Sequence, residues 1–165
     1  MTIDALSEFS PKTVGWGPAK PPGERLAALV NRHGPASGTA VVLGGGNVVP
    51  ALAARFSVHA FGAHTCMAEA ADSPAGFADA SLAAVVVHGG PRDAEELRAL
   101  LRWLGRKLGH DGVAVLRLPA WLSRLDFLRR AEVAGLMARF AWHPHPREWM
   151  GPAMLLTARA RWEIF

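Results

Sequence analysis

The chain has 165 residues, 50% of them hydrophobic and 19% charged, which fits one domain able to bury its own core and excludes a disordered tail. A single cysteine, Cys66, excludes a disulfide scaffold and a multi-cysteine zinc site, and no apolar run reaches the roughly 18 residues of a membrane-crossing helix. The formal net charge is +4 but unevenly spread: residues 1–97 hold 6 Lys/Arg against 9 Asp/Glu, and residues 98–165 hold 12 against 5. A basic half attracts nucleic acid, anionic lipid or an acidic partner. No run exceeds two consecutive basic residues and no nucleic-acid motif is present, so solvated, Arg-rich helix faces are the simpler reading and no specific nucleic-acid partner is expected. Met1–Ser10 carries Asp4 and Glu8 and lacks a basic, apolar signal, which makes the cytoplasm the default expectation.

Ser10–Pro22 is rich in Pro, Gly and Lys and reads as an irregular arm, setting residues 1–22 apart from a single domain over 23–165. Trp16 sits in that arm between two glycines, where its apolar area favours packing on the body or on a partner. Glu24–His33 places Leu26, Leu29 and Val30 at helical spacing, and Gly34-Pro35 stops the helix. Ala40–Leu43 is a short buried-type strand. After Gly44-Gly45-Gly46, Asn47 is positioned to cap a helix that tolerates Pro50 in its first turn, with Val49, Leu52, Ala53 and Phe56 on one face. Ser57–Phe61 reads as a second strand, Cys66–Ala71 as a short helix, and Ala83–Val87 as a strand buried on both faces.

Asp93–Leu108 is the clearest helix. Ala94, Leu97, Leu100, Leu101, Leu104 and Leu108 form its stripe, with Trp103 beside rather than inside it; Asp93 and Glu96 have capping-box spacing. Gly109 and Gly112 bracket the expected turn into a strand, Val113–Leu118. Ser123 and Asp126 open a helix that runs to about Ala134 and ends at Gly135. Leu136–Trp142 and Met154–Arg159 read as closing strands. Strands alternating with helices imply a mostly parallel sheet covered on both faces, whose ligands bind outside the carboxyl ends of the strands. The loops at that edge are Gly44–Val49, Gly62–Thr65, His88–Arg92 and Pro119–Ser123.

Three glycines between a strand and a helix let the backbone pass close to a ligand, and the helix start offers free N–H groups to an anion. The stretch "AVVLGGGNVVPALAARF" resembles the first motif of class I S-adenosylmethionine-dependent methyltransferases. "FADASLAAVVV" resembles that family's run into its fourth strand, "LRALLRWLGRKLGHDGVAVLRLP" its next helix, turn and fifth strand, and "AMLLTA" part of its final antiparallel hairpin; together they cover residues 24–160. The resemblance implies a Rossmann-like α/β fold, a mostly parallel sheet with a C-terminal antiparallel hairpin and helices on both faces. It also implies S-adenosylmethionine as cofactor, held by Gly44, Gly45, Gly46 and Asn47, with His88 placed to assist deprotonation of a methyl acceptor.

The departures from that pattern are as informative as the match. The family has an acidic residue on the first strand before the glycine loop, where Val42 stands. It has a second acid after the second strand that accepts the ribose hydroxyls; the stretch here is Phe61-Gly62-Ala63-His64. His64, Thr65 or Asp72 are the polar substitutes within reach in sequence. A full helix and third strand would need about 28 residues with their loops, yet Ala63–Leu82 supplies 20, so the third strand or its helix is expected to be missing or shrunken. These departures point to a degenerate cofactor site and a non-catalytic binding or assembly subunit for a partner enzyme. An active S-adenosylmethionine-dependent methyltransferase is the alternative, and a small-ligand or membrane-surface domain the third.

The remaining residues carry weaker signals. His88 suits a general base or a helix-entry residue bonded to backbone. His143 and His145 lack further metal ligands and read as an exposed turn; no metal is expected. His59 reads as a core or surface strand residue, and Cys66 as a buried thiol. Trp121, Phe127, Phe140, Trp142, Trp149, Trp162 and Phe165 crowd the basic half, and aromatics among arginines are enriched at protein interfaces. A protein partner or self-association is therefore expected ahead of a membrane surface.

Overall fold

Pro22 opens the first helix of the computed structural model, which describes residues 22–44, 48–62, 76–142 and 152–158. Helix α1 spans Pro22–His33 and begins two residues before the expected Glu24, while residues 1–21 of the expected arm lie outside the described residues. Proline fits a first helical turn because its fixed φ is helical and its missing N–H would have no partner there. Leu26, Ala27, Leu29 and Val30 are buried, and the Gly34 N–H donates to the Val30 carbonyl at 2.8 Å where the helix stops.

Strand β1 is Gly38–Leu43, helix α2 Val48–Leu52 and strand β2 Phe56–Phe61. Phe56, expected on the apolar face of α2, is instead the first residue of β2. The helix closes after one turn because Arg55 reaches back to the end of α1. Its guanidinium donates to the Pro35 carbonyl at 2.7 Å and to the Asn31 carbonyl, pinning the turn that leads into β2. Phe56 is still buried, in the same layer the helix would have put it.

Strand β3 is Leu82–Val87 and helix α3 is Ala94–Lys107. Asp93 caps α3, its Oδ1 accepting from the Glu96 N–H at 2.9 Å, while the Glu96 carboxylate takes the Arg92 N–H at 2.7 Å. Trp103, expected outside the apolar stripe, is 7% exposed and belongs to the core. The expected turn at Gly109–Gly112 lies inside strand β4, Leu108–Arg117. Leu82 pairs with Leu108 and Ala84 with Val113, so the extra residues of β4 are absorbed as a bulge. A Cβ on Gly112 would lie 2.5 Å from the Leu82 carbonyl oxygen and 2.9 Å from the Gly109 nitrogen, so the irregular start of β4 has room only for glycine there.

Helix α4 (Arg124–Val133) is capped by Ser123, whose Oγ accepts from the Asp126 N–H at 3.2 Å. Gly135 follows with φ +78°, a left-handed stop that favours glycine. Strands β5 (Leu136–Trp142) and β6 (Ala153–Ala158) close the chain as the expected antiparallel hairpin.

The six described strands form one sheet in the order β2-β1-β3-β4-β6-β5. The first four are parallel, and β6 runs antiparallel to both β4 and β5. Alternation splits the core into two layers. Val42, Val86 and Val115 meet α1 and α2 on one face; Val41, Val85 and Leu116 meet α3 and α4 on the other. Strand β2 is the edge of the described sheet; the expected loss of a third strand or its helix concerns a segment of which residues 63–75 lie outside the described residues.

Candidate functional site at the carboxyl edge of the sheet

The four parallel strands finish in register. Leu43 pairs with Phe61 on one side and Val87 on the other, and Val87 pairs with Leu116. The residues that follow on each strand, Gly44, Gly62, His88 and Arg117, therefore make one rim. Backbone bonds hold it: the Gly44 N–H donates to the Phe61 carbonyl and the His88 N–H to the Leu43 carbonyl, each at 2.9 Å.

Gly44 has φ +82°, the left-handed conformation that lets the chain turn off β1 without a Cβ clash. It is the one predicted cofactor residue among those described. Gly45, Gly46, Asn47, His64 and Asp72 lie outside the described residues, as do Thr65, Cys66, His143 and His145.

His88 is half-buried, and its backbone continues β3 rather than entering a helix, since α3 begins at Ala94. Alternation puts it on the face of α1 and α2. A Cβ on Gly23 would lie 3.5 Å from both Cδ2 and Nε2 of His88 and 3.0 Å from a Val48 methyl. Glycine at position 23 thus lets the first turn of α1 come down onto the imidazole.

Arg117 is the rim residue that sequence reasoning missed. It is 6% exposed and follows Val113 and Val115 on the same face as His88. Its signal was an arginine terminating an otherwise apolar strand. The loops after β3 and β4 are tied together above this point, because Trp121 Nε1 donates to the Pro91 carbonyl at 3.1 Å.

The "FADAS" stretch that prompted the family resemblance has a structural role here. Lys107, 6% exposed at the end of α3, donates to the Phe77 carbonyl at 2.5 Å and to Asp79 Oδ1 at 2.9 Å. That hydrogen bond, with the charges of Lys107 and Arg106, holds the Asp79 carboxyl below the ordinary carboxylate range. Asp79 is thus committed to α3. The Phe77 ring packs edge-on against Phe61, centroids 6.2 Å apart, and against His59, 5.2 Å apart. His59 is therefore a strand residue packed on an aromatic neighbour, as expected.

The chemistry of this rim can be set against the cofactor that the fold implies. A ribose diol calls for paired acceptors. At the end of β2 the chain presents a phenyl ring and a glycine, and the polar side chains of the described rim are an imidazole and a guanidinium. The described rim does not supply the acceptor pair. No group of three metal-ligating side chains occurs among the described residues, and no described helix is long and apolar enough to cross a membrane.

No family model and no curated protein sequence matches the chain. Solved structures match over most of its length. A TehB-like SAM-dependent methyltransferase of Corynebacterium glutamicum is 17% identical, with a TM-score of 0.62 over 94% of this chain and 97% of that one. A release-factor-specific protein-(glutamine-N5) methyltransferase of Alicyclobacillus acidocaldarius is 16% identical, with a TM-score of 0.55 over 84% and 94%. Phosphoethanolamine N-methyltransferase 2 of Haemonchus contortus, solved with S-adenosyl-L-methionine, is 16% identical, with a TM-score of 0.51 over 86% of this chain and 38% of that one. The chain has the Rossmann-like fold of class I methyltransferases.

Proposed function

We propose that this chain is a methyltransferase-fold protein whose S-adenosylmethionine site is degenerate, and that it serves as a non-catalytic binding or assembly subunit for a partner enzyme. The observation that carries this reading is the rim itself: Gly44, Gly62, His88 and Arg117 stand in register with no carboxylate among them. Hydrogen bonds to a charged acceptor contribute about 1.5–3 kcal/mol each. Losing a bidentate carboxylate removes two such bonds and therefore weakens cofactor binding by about a hundred- to ten-thousandfold, at about 1.4 kcal/mol per factor of ten. A binding role is supported by apolar side chains on the outer surface of α4 and β5: Leu125 is 57% exposed, Val133 90% and Met137 59%.

Isothermal titration calorimetry with S-adenosylmethionine and S-adenosylhomocysteine tests the reading. The expected result is no saturable heat at micromolar concentration. A one-to-one isotherm with micromolar Kd for either molecule would overturn the degenerate site.

The second reading, an active methyltransferase, draws on one specific observation, the placement of His88 beneath Gly23 at the rim. There the imidazole would take the acceptor's proton, a role worth about 10²–10⁴-fold in rate. That reading requires the saturable isotherm and a methyl transfer that falls by this factor in His88→Gln.

A further inference from the structure

The groove between α3 and α4 gathers four cations. Arg98, Leu101 and Arg102 come from α3, and Arg129, Arg130 and Val133 from α4; the space they line is about 280 Å³. Positions 98, 101 and 102 share one helix face, as do 129 and 133. Leu101 is buried at the floor, and Val133 stands on the rim with 90% of its surface exposed.

The cations at the two ends of α3 are neutralised locally. Arg92 pairs with Glu96 at 2.6 Å, and Lys107 and Arg106 pair with Asp79 at 2.9 and 3.6 Å. The guanidinium groups of Arg98, Arg102, Arg129 and Arg130 make no ion pair or hydrogen bond among the described residues, and no carboxylate lines the groove among the described residues. Four like charges held together without counter-charge are unfavourable in isolation, and an anionic occupant relieves them.

We propose that this groove takes a carboxylate-bearing segment of a partner protein, with one apolar side chain seated over Leu101 and Val133 and flanking Glu or Asp side chains paired with the four guanidiniums. Planar guanidinium forks match carboxylates bidentately, and an exposed valine beside them calls for an apolar contact that a phosphate backbone does not offer. No aromatic side chain lines the groove among the described residues, so these offer bases no stacking platform. The inference names the partner chemistry of the binding role proposed above and rests on that reading.

Fluorescence anisotropy with the full chain tests it. The probe is a short labelled peptide of glutamates flanking two leucines; a glutamine-for-glutamate copy, labelled oligothymidylate and phosphatidylserine vesicles are run beside it. The glutamate peptide should bind at least about tenfold more tightly than the glutamine copy, and Arg98→Gln and Arg129→Gln should each weaken it by about tenfold. Arg139→Gln, outside the groove, should leave it unchanged, and circular dichroism should show all three variants folded. Equal binding of the glutamine peptide, or indifference to the groove variants, would overturn the proposal. So would stronger groove-dependent binding of oligothymidylate or vesicles, or self-association abolished by the same substitutions. Saturable cofactor heat with peptide binding intact removes the non-catalytic reading and leaves the groove standing; lost peptide binding with no cofactor heat does the reverse.

Discussion

A lysine with 6% of its surface exposed needs a partner for its charge, and Lys107 finds two, the Phe77 carbonyl and the Asp79 carboxylate. The pair fixes the approach to β3, and with it the Phe77 ring that covers Phe61. Lys107→Ala leaves the Phe77 carbonyl unpaired and should cost about 2 kcal/mol in denaturant unfolding. The ion pair also sets a pH dependence. Asp79 is drawn below its usual value of 3.8, first by the hydrogen bond from Lys107. A carboxylate depressed in the folded state contributes fully above the unfolded value and loses that contribution as pH falls through the folded one. Stability measured downward from about pH 4 should therefore fall less steeply in Asp79→Asn than in the parent chain. This aspartate lies in the run that the resemblance placed before the family's fourth strand, and it does precede β3. Its spacing looked like a motif, and its contacts show an anchor.

At the scale of elements, the strands β1, β3 and β4 were legible because each is buried on both faces, which forces a continuous apolar run. Helix α3 was legible because one side only is buried. The misreadings sit where two signals compete. Phe56 continues the apolar spacing of α2, but the side chain of Arg55 closes the helix first. Trp103 falls off the simple stripe, yet it is buried in the same core cluster as Phe127 and Ala131 of α4 and Leu136 of β5. The Gly109–Gly112 pair looked like a turn because a bulge and a turn ask for the same residue. Gly105 makes a contact no spacing could reveal: a Cβ there would lie 2.2 Å from the Ala134 carbonyl oxygen, where α3 passes the end of α4. Gly105→Ala should push the two helices apart and lower stability by about 1–3 kcal/mol in a urea titration. The same substitution widens the arginine groove, so peptide binding should weaken alongside.

Across the whole molecule, the topology placed the site. Parallel strands with helices on both faces leave one edge for ligands, and the four strand ends do meet in register there. The sequence also showed that Val42 and the Phe61-Gly62 pair stand where the resemblance implies acids, because strand ends are short and countable. It could not show the burial of Arg117, nor that Arg98 and Arg102 line one groove with Arg129 and Arg130, since these environments arise only when separate elements pack. The division that results puts a rim whose described residues, Gly44, Gly62, His88 and Arg117, carry no carboxylate at the sheet edge and a cationic groove on the opposite helical face.

The central claim is that the cofactor site fails for want of an acceptor at the end of β2. Gly62 is exposed and has no left-handed φ, which makes it the position at the end of β2 to give a carboxylate. Calorimetric titration of S-adenosylhomocysteine into the parent chain and into Gly62→Asp, side by side, is the most direct test. The account predicts no saturable heat for the parent and a gain of at least about tenfold in affinity for the variant. Micromolar binding by the parent, with no gain in Gly62→Asp, would contradict it.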